Sequence, residues 1–321
     1  MPNIKGFNEL DSNSTDQAGG KGASLGEMTN ADIPVPPGFV VLSEAFDEFL
    51  NANSLHSEID AKLHQADKDD TNSIEQASEA IQGLIKNKNF PEKLKQQVEE
   101  RFEQLNCEYV AVRSSATEED SDESAWAGQL NTFLNTNKET LCENIKKCWA
   151  SLFTPRAIFY RFENDLHGKD ISVAVVVQKM IDSDVSGVAF SVHPVTEDEN
   201  QVIIEACYGL GEAVVSGQIT PDSYVVEKDP RNILDVNIST QKKALYKKEE
   251  ISPNTTEPNE WQNLSEQKGG QQVLTEQQVN ELTEIILDIE SHYGFPCDIE
   301  WCMEEGDFFI VQSRPITTLS D

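Results

Sequence analysis

Cations are scarce in this chain: its 321 residues carry 25 Lys and Arg against 57 Asp and Glu, a formal charge of −32 at neutral pH. Such a field repels phosphodiester backbones and anionic headgroups, so neither nucleic acid nor a membrane surface is expected as a partner. The same excess fits a salt-adapted or simply very soluble surface, and it says nothing about fold. Long hydrophobic runs are missing too. The N-terminus Met1-Pro2-Asn3-Ile4-Lys5-Gly6-Phe7 has no apolar leader core, and no stretch approaches the length of a membrane span. The six cysteines (107, 142, 148, 207, 297 and 302) include no Cys-x-x-Cys pair and fall mostly in apolar segments. That pattern argues against a zinc cluster and for free thiols in a reducing cytoplasm. Cys297 and Cys302, five apart on one expected strand, are badly spaced for zinc.

What is present centres on a C-terminal hairpin. Cys297-Asp298-Ile299-Glu300-Trp301 and Phe308-Phe309-Ile310-Val311-Gln312-Ser313-Arg314-Pro315 each read as a short strand, with the polar turn Glu304-Glu305-Gly306-Asp307 between them. If the strands pair, the period of two can bring Glu300 and Gln312 onto one face, with Arg314 two residues on. Carboxylate and amide oxygens suit a hard cation such as Mg2+, and a guanidinium clamps phosphate oxygens. Taken alone, the hairpin reads equally as ordinary polar surface.

In a cation-poor chain, Lys and Arg near small residues stand out. Gly19-Gly20-Lys21-Gly22-Ala23-Ser24 opens a helix, where close backbone approach and free N–H groups favour an anion and Lys21 adds a point charge. The order is not the Walker spacing, and a flexible helix-capping loop would look the same. Ile33-Pro34-Val35-Pro36-Pro37-Gly38-Phe39 leads into a short buried strand ending near Leu42, and residues 43–106 read as helical scaffold, with a loop at 68–72 and a helix start at Pro91. A strand from Tyr109 is expected to end on Arg113, releasing Ser114-Ser115-Ala116-Thr117 as a phosphate grip beside the guanidinium. The acidic run 118–123 reads as a solvated loop. Gly128 and Gln129 fit a mobile flap over phosphates, or equally a loop anchored by Trp126.

Residues 138–165 read as two helices, with Arg156 and Arg161 in structural ion pairs. The apolar run from Ile171 predicts a strand buried on both faces that breaks at Gln178-Lys179-Met180-Ile181, where backbone groups can read an adenine edge. Strands follow at 186–194, 201–207 and 222–227, with a weak Gly-x-Gly at 209–211. Thr275 is the expected cap of a helix over about 276–292, with Val279, Leu282, Ile285, Ile286 and Ile289 on one face.

Together, Gly19–Glu27, Ile33–Phe39, Val112–Asp120, Ala127–Gln129, Ser151–Ala157, Ser186–Phe190, Gly209–Glu212, Asp298–Trp301 and Gln312–Pro315 resemble, in order, the ATP-binding domain of the phosphoenolpyruvate synthase, pyruvate phosphate dikinase and rifampin phosphotransferase family. The resemblance implies an α+β, two-lobed ATP-grasp fold, with lobes 1–182 and 183–321 and ATP and Mg2+ between them. It implies that Lys21 and Arg113 bind phosphates under a loop carrying Gly128 and Gln129, and that Gln178, Lys179, Met180 and Ile181 face the adenine. Glu300 and Gln312 would hold magnesium, and Arg314 would meet the transferred phosphoryl group. Positioning and charge neutralisation are what phosphoryl transfer needs. One departure is Asn131, where family members usually carry an acid. Another is that none of His56, His64, His167, His193 and His292 sits in the Thr-Ser/Cys-His-Ala setting of the family's swivelling domain. The expected partner beside ATP is therefore a phosphohistidine domain, on another chain or in missing C-terminal domains. The alternatives are a rifampin-phosphotransferase-like or biosynthetic ATP-grasp enzyme, and a non-catalytic ATP-binding module.

Overall fold

The computed structural model describes residues 3–117, 131–164, 166, 172–251, 255, 257–317 and 319. Gly128, Gln129, Trp126 and the run 118–123 lie outside the described residues. The chain is a mixed helix-and-sheet protein in two compact units, one of Met1–Glu27 and Pro37–Met180, the other of Met28–Pro36 and Ile181–Asp321. Residues 28–36 thus pack with the later half of the chain, where the Ile310 N–H donates to the Pro34 carbonyl at 2.8 Å. Among the described residues no helix is long and apolar enough to cross a membrane.

The first unit holds β1 (Ile4–Gly6), α1 (Thr15–Asn30, broken at Gly19 so that a second helical stretch starts there, and with its last three residues in the second unit), β2 (Gly38–Val41), α2 (Ser43–Ala52), α3 (His56–Leu63), α4 (Thr71–Asn87), α5 (Glu92–Gln104), β3 (Val110–Ala116), β4 (Thr132–Thr136), α6 (Lys138–Ala150), α7 (Pro155–Glu163) and β5 (Val173–Lys179). Its strands form an antiparallel sheet in the order β1-β2-β5-β3-β4. The Val173–Val177 run is fully buried in the middle of that sheet, as a continuous apolar strand must be. Helices pack through apolar stripes: α4 buries Ile74, Ala77, Ile81 and Ile85 at helical spacing against neighbouring helices, each large side chain contributing roughly 1.5–3 kcal/mol. Trp149 of α6 lies fully buried, stacked on Phe90 at 5.4 Å and flanked by Phe46 and Phe49. Local caps fix the helix starts: the Asp70 carboxylate accepts from the Asn72 N–H, and Thr154 caps α7 ahead of Pro155.

Two sequence expectations are corrected here. Strand β3 does not end at Arg113 but continues through Ser114, Ser115 and Ala116, because Val175, Ala174 and Val173 of β5 pair with them. Likewise β5 does not break at Gln178: Gln178 lies between Gly38 and Ala111, and Lys179 pairs with Val110. The Lys179 N–H donates to Pro37 O and the Met180 N–H to Tyr109 O, so both donors serve the sheet and its exit rather than standing free. Neighbouring strands outweigh the weak strand propensity of the polar residues.

The second unit is built on an antiparallel sheet in the order β13-β12-β6-β7-β8-β9. In chain order these are β6 (Val185–Phe190), β7 (Gln201–Tyr208), β8 (Asp222–Glu227), β9 (Ile233–Asn237), β12 (Cys297–Glu304) and β13 (Asp307–Pro315). The short helix α8 (Glu212–Val215) follows β7; β10 (Lys243–Lys247) and β11 (Asn259–Asn263) pair with each other, Leu245 of β10 also bridges Gly209, and α9 (Glu266–Gly269) follows them. The last helix, α10 (Glu276–Tyr293), has the expected Thr275 cap, a reciprocal Gln278 capping box and a left-handed Gly294 at its end. It buries Val279, Leu282, Ile286 and Ile289. One face of the sheet is closed and apolar, with Ile204, Tyr224, Ile299 and Trp301 almost fully buried. The other face is half open, and it carries the polar residues.

Candidate functional site

The hairpin forms as its sequence dictates. Glu305 and Gly306, both at positive φ (53° and 96°), make a two-residue turn of the kind whose twist suits paired strands. In the resulting register Glu300 lies directly opposite Gln312, and Asp298 directly opposite Arg314. A bulge makes this possible. Trp301 pairs with Ile310, but Glu300 pairs with Gln312, leaving Val311 as the extra residue. Without it Ile310 and Gln312 would share a face; with it Ile310 enters the core while Gln312 joins Glu300 on the open side.

The next row of the hairpin is an ion pair. Arg314 Nε and Nη2 donate to the same Asp298 oxygen, Oδ2, at 2.9 and 2.7 Å. Burial pushes the Asp298 carboxyl above the ordinary aspartate range, the Arg314 guanidinium pulls it back only in part, and Glu300 adds to the rise. The strand that carries these residues is pinned from behind. The Cys297 N–H donates to Ser191 Oγ at 2.8 Å, Ser191 Oγ donates to Glu290 of α10 at 2.9 Å, and Lys228 donates to both Glu290 oxygens at 2.6 and 2.8 Å.

Register extends the row inward: Glu300 pairs with Val188, Val188 with Glu205, and Glu205 with Ser223. Glu205 thus lies two strands from Glu300 on the same face, roughly 10 Å away at ordinary strand spacing. Burial raises its carboxyl above the usual range. Asp298 and Glu205 are the residues that sequence reasoning passed over. Each left a signal: Asp298 stands two before Glu300 in a strand, and Glu205 is the lone acid in the apolar run Val202–Cys207.

In the first unit the glycine run and the arginine strand come together. Gly19 sits at φ +66°, and a Cβ there would fall 2.2 Å from Ser115 Oγ, so only glycine permits this approach. The Gly22 N–H donates to the same Ser115 hydroxyl at 3.3 Å. Ser115 and Arg113 alternate on β3 and share a face, whereas Ser114 turns the other way to the carbonyls of Asn131 and Cys148. Arg113 is buried and Lys21 half-buried. Lys21 therefore sits between two glycines seated against Ser115, two residues from Arg113 on β3. Gln178 is buried and Lys179 half-buried at the end of β5, with Met180 closing the first unit and Ile181 opening the second. Of the other arginines singled out, Arg161 is buried with its guanidinium 5.0 Å from the Phe153 ring, while Arg156 is exposed. All six cysteines are free thiols.

Two oxygen donors facing each other beside a charge-paired arginine can bind a hard cation and an anionic group. A glycine-opened helix with Lys and Arg can bind a polyphosphate.

Known proteins share this arrangement of sequence. The chain is 42% identical over 99% of its length to a "Probable phosphoenolpyruvate synthase" of Methanocaldococcus jannaschii, and 43% identical over 97% to another of Archaeoglobus fulgidus. It is 37% identical over 98% of its length to the rifampicin phosphotransferase of Bacillus cereus. It spans 27% and 41% of the two synthases and 36% of the phosphotransferase, so each of these relatives is more than twice as long as the stretch it matches. Residues 15–321 match the family model described as "Pyruvate phosphate dikinase, AMP/ATP-binding domain", and the chain belongs to that family.

Proposed function

We propose that this chain is the nucleotide-binding part of an ATP-dependent phosphotransferase of the phosphoenolpyruvate synthase kind, folded as a two-lobed ATP-grasp domain with lobes 1–182 and 183–321, save that residues 28–36 pack with the later one. Lys21 and Arg113 bind the phosphates, with Gly128 and Gln129 in the covering loop. Gln178, Lys179, Met180 and Ile181 face the adenine through side chains and carbonyls, since the Lys179 and Met180 N–H groups are already bonded. Glu300 and Gln312 hold Mg2+, and Arg314 meets the phosphoryl group in transit to a histidine on another domain or chain. The observation that carries this reading is the direct pairing of Glu300 with Gln312, with the Asp298–Arg314 pair in the adjoining row.

The donor set fits the metal: a carboxylate and an amide present oxygen atoms, and magnesium takes few protein ligands, filling its octahedron with phosphate oxygens and water. Among the described residues no three His, Cys, Asp or Glu are grouped to hold a metal by themselves, which accords with a cation carried in on its nucleotide. Bound there, magnesium would neutralise charge between the transferred and leaving phosphates. The protein's own contribution is placement: Asp298 holds the Arg314 guanidinium, and the bulge at Val311 aims Gln312.

The test is transfer of label from γ- or β-labelled ATP, with Mg2+, to a separately expressed phosphohistidine domain of the family. Labelled histidine is expected. ATP binding without label would leave a non-catalytic nucleotide module. The match to a rifampicin phosphotransferase favours a second acceptor reading, drug rather than pyruvate. Supplying each acceptor with the phosphorylated histidine domain separates the two.

A further inference from the structure

Glu205 is an acid that the fold leaves unanswered. It lies half-buried on the open face of the second unit's sheet, the lone charge in the run Val202–Cys207. Along its own strand the residues sharing that face are Ile203 and Cys207, both buried. Across the row it has Val188 on one side and Ser223 on the other. Among the described residues its carboxylate makes no hydrogen bond and no ion pair, and burial alone lifts its pKa. The hairpin acids differ: Asp298 is held by Arg314, and Glu300 faces Gln312. A half-buried carboxylate without donor or cation destabilises the fold that carries it, and such groups mark places where a ligand supplies the partner.

We propose that Glu205 binds the ribose hydroxyls of the nucleotide and so sets a preference for ribonucleotides over deoxyribonucleotides. The inference rests on the nucleotide reading above and names one more residue of the same site. A hard cation needs several oxygen ligands. Glu205 has one hydroxyl beside it, Ser223, with apolar Val188 standing between it and Glu300. Among the described residues no three His, Cys, Asp or Glu are grouped to hold a metal. A carboxylate also repels phosphate, so Glu205 must meet an uncharged part of the nucleotide that brings hydrogen-bond donors. A vicinal diol brings two O–H groups to the two carboxylate oxygens, while the C–H edge of the sugar suits Val188 and Ile203. Acceptance of a ribose hydroxyl by an acid is the pairing that dinucleotide sites use. The placement agrees. From the adenine-facing residues the chain enters β6 at Val185, and three residues on, Val188 has the metal pair Glu300 and Gln312 on one side and Glu205 on the other.

Calorimetric titration with ATP, 2′-deoxy-ATP and 3′-deoxy-ATP, each with Mg2+, tests the assignment. The unsubstituted chain is expected to bind a deoxy analogue about 10–100-fold more weakly than ATP, the range for a hydrogen bond to a charged group. Glu205→Ala is expected to weaken ATP by the same factor and to bind ATP and that analogue alike. Glu205→Gln, which keeps one acceptor oxygen, is expected to fall between. The Mg2+ dependence of binding is expected to stay unchanged in both variants. Without nucleotide, both are expected to melt no lower than the unsubstituted chain, because the carboxylate they lose has no partner in it. ATP affinity unchanged by both substitutions, sugar discrimination that survives them, a raised Mg2+ requirement, or lower melting in both would each overturn the assignment. ATP that fails to bind the unsubstituted chain would instead overturn the nucleotide reading on which the assignment stands.

Discussion

The two ends of the six-stranded sheet differ in how they meet water. At the β13 end, polar side chains are drawn half into the protein and answered by one another: Arg314 on Asp298, Glu300 opposite Gln312, Ser191 on the Cys297 amide. At the β9 end the anchoring lies one strand inside. Asp222, fully buried at the start of β8, accepts from the Ser239 and Val273 N–H groups and from the Tyr224 hydroxyl, while the outer strand shows apolar side chains to solvent. A polar edge satisfied from within has its geometry fixed before any ligand arrives. The same sheet thus carries one end whose polar side chains are fixed against each other and one whose anchor lies a strand further in.

The comparison can be broken most sharply at Glu300. Glu300→Ala is expected to abolish the Mg2+-dependent part of the ATP thermal shift and to lower histidine labelling by about 10²–10³-fold, as loss of one charge-stabilising group does. A shift that survives intact would remove the metal from the hairpin end. At the other end, Asp222→Ala should cost about 3 kcal/mol in chemical denaturation, because two half-buried amides and a buried phenol lose their acceptor together, while the Mg2+ dependence of ATP binding persists in the protein that remains folded. If the two readouts fell together, the ends would not be independent. Asp298→Asn tests whether Arg314 needs its partner: labelling should fall roughly 10–100-fold, the range for a hydrogen bond to a charged group, with ATP affinity less affected.

The smallest effect is on pH. Burial raises the Asp298 carboxyl, so the folded state takes up this proton at higher pH than the unfolded chain does. Protonation of Asp298 therefore favours folding, and that contribution is complete below the unfolded value and lost as pH rises through the folded one. Activity runs the opposite way: as pH falls through the raised value, the Arg314–Asp298 pair is neutralised. The acidic limb of the labelling rate should accordingly lie above the usual carboxylate range, and in Asp298→Asn it should move to lower pH. An unmoved limb would assign it to another group.

Much of this was legible because local chemistry and global fold agree. The hairpin announced itself through alternation and a Glu-Gly turn, and α10 through Thr275, Gln278 and its apolar stripe. Where polar residues were recruited into a sheet the reading failed. Ser114 and Ser115 look like a strand's exit, yet β5 holds them in register; Gln178 looks like a break, yet it lies between β2 and β3. No pattern within the segment 33–36 shows that Pro34 will accept from Ile310, nearly three hundred residues later. Period two counted from the turn sets Glu300 opposite Val311, one residue short of Gln312. The bulge that makes up that residue left no mark in composition.

The seating of residues 28–36 in the second unit has a consequence for how the molecule can be taken apart. The chain passes from one unit to the other between 27 and 28, back between 36 and 37, and across again between 180 and 181. Neither unit is a contiguous piece of sequence. A cut after Met180 would free a fragment still carrying nine residues that belong to the other half, with the Ile310 amide deprived of Pro34. Neither unit can be cut out as a single segment of sequence.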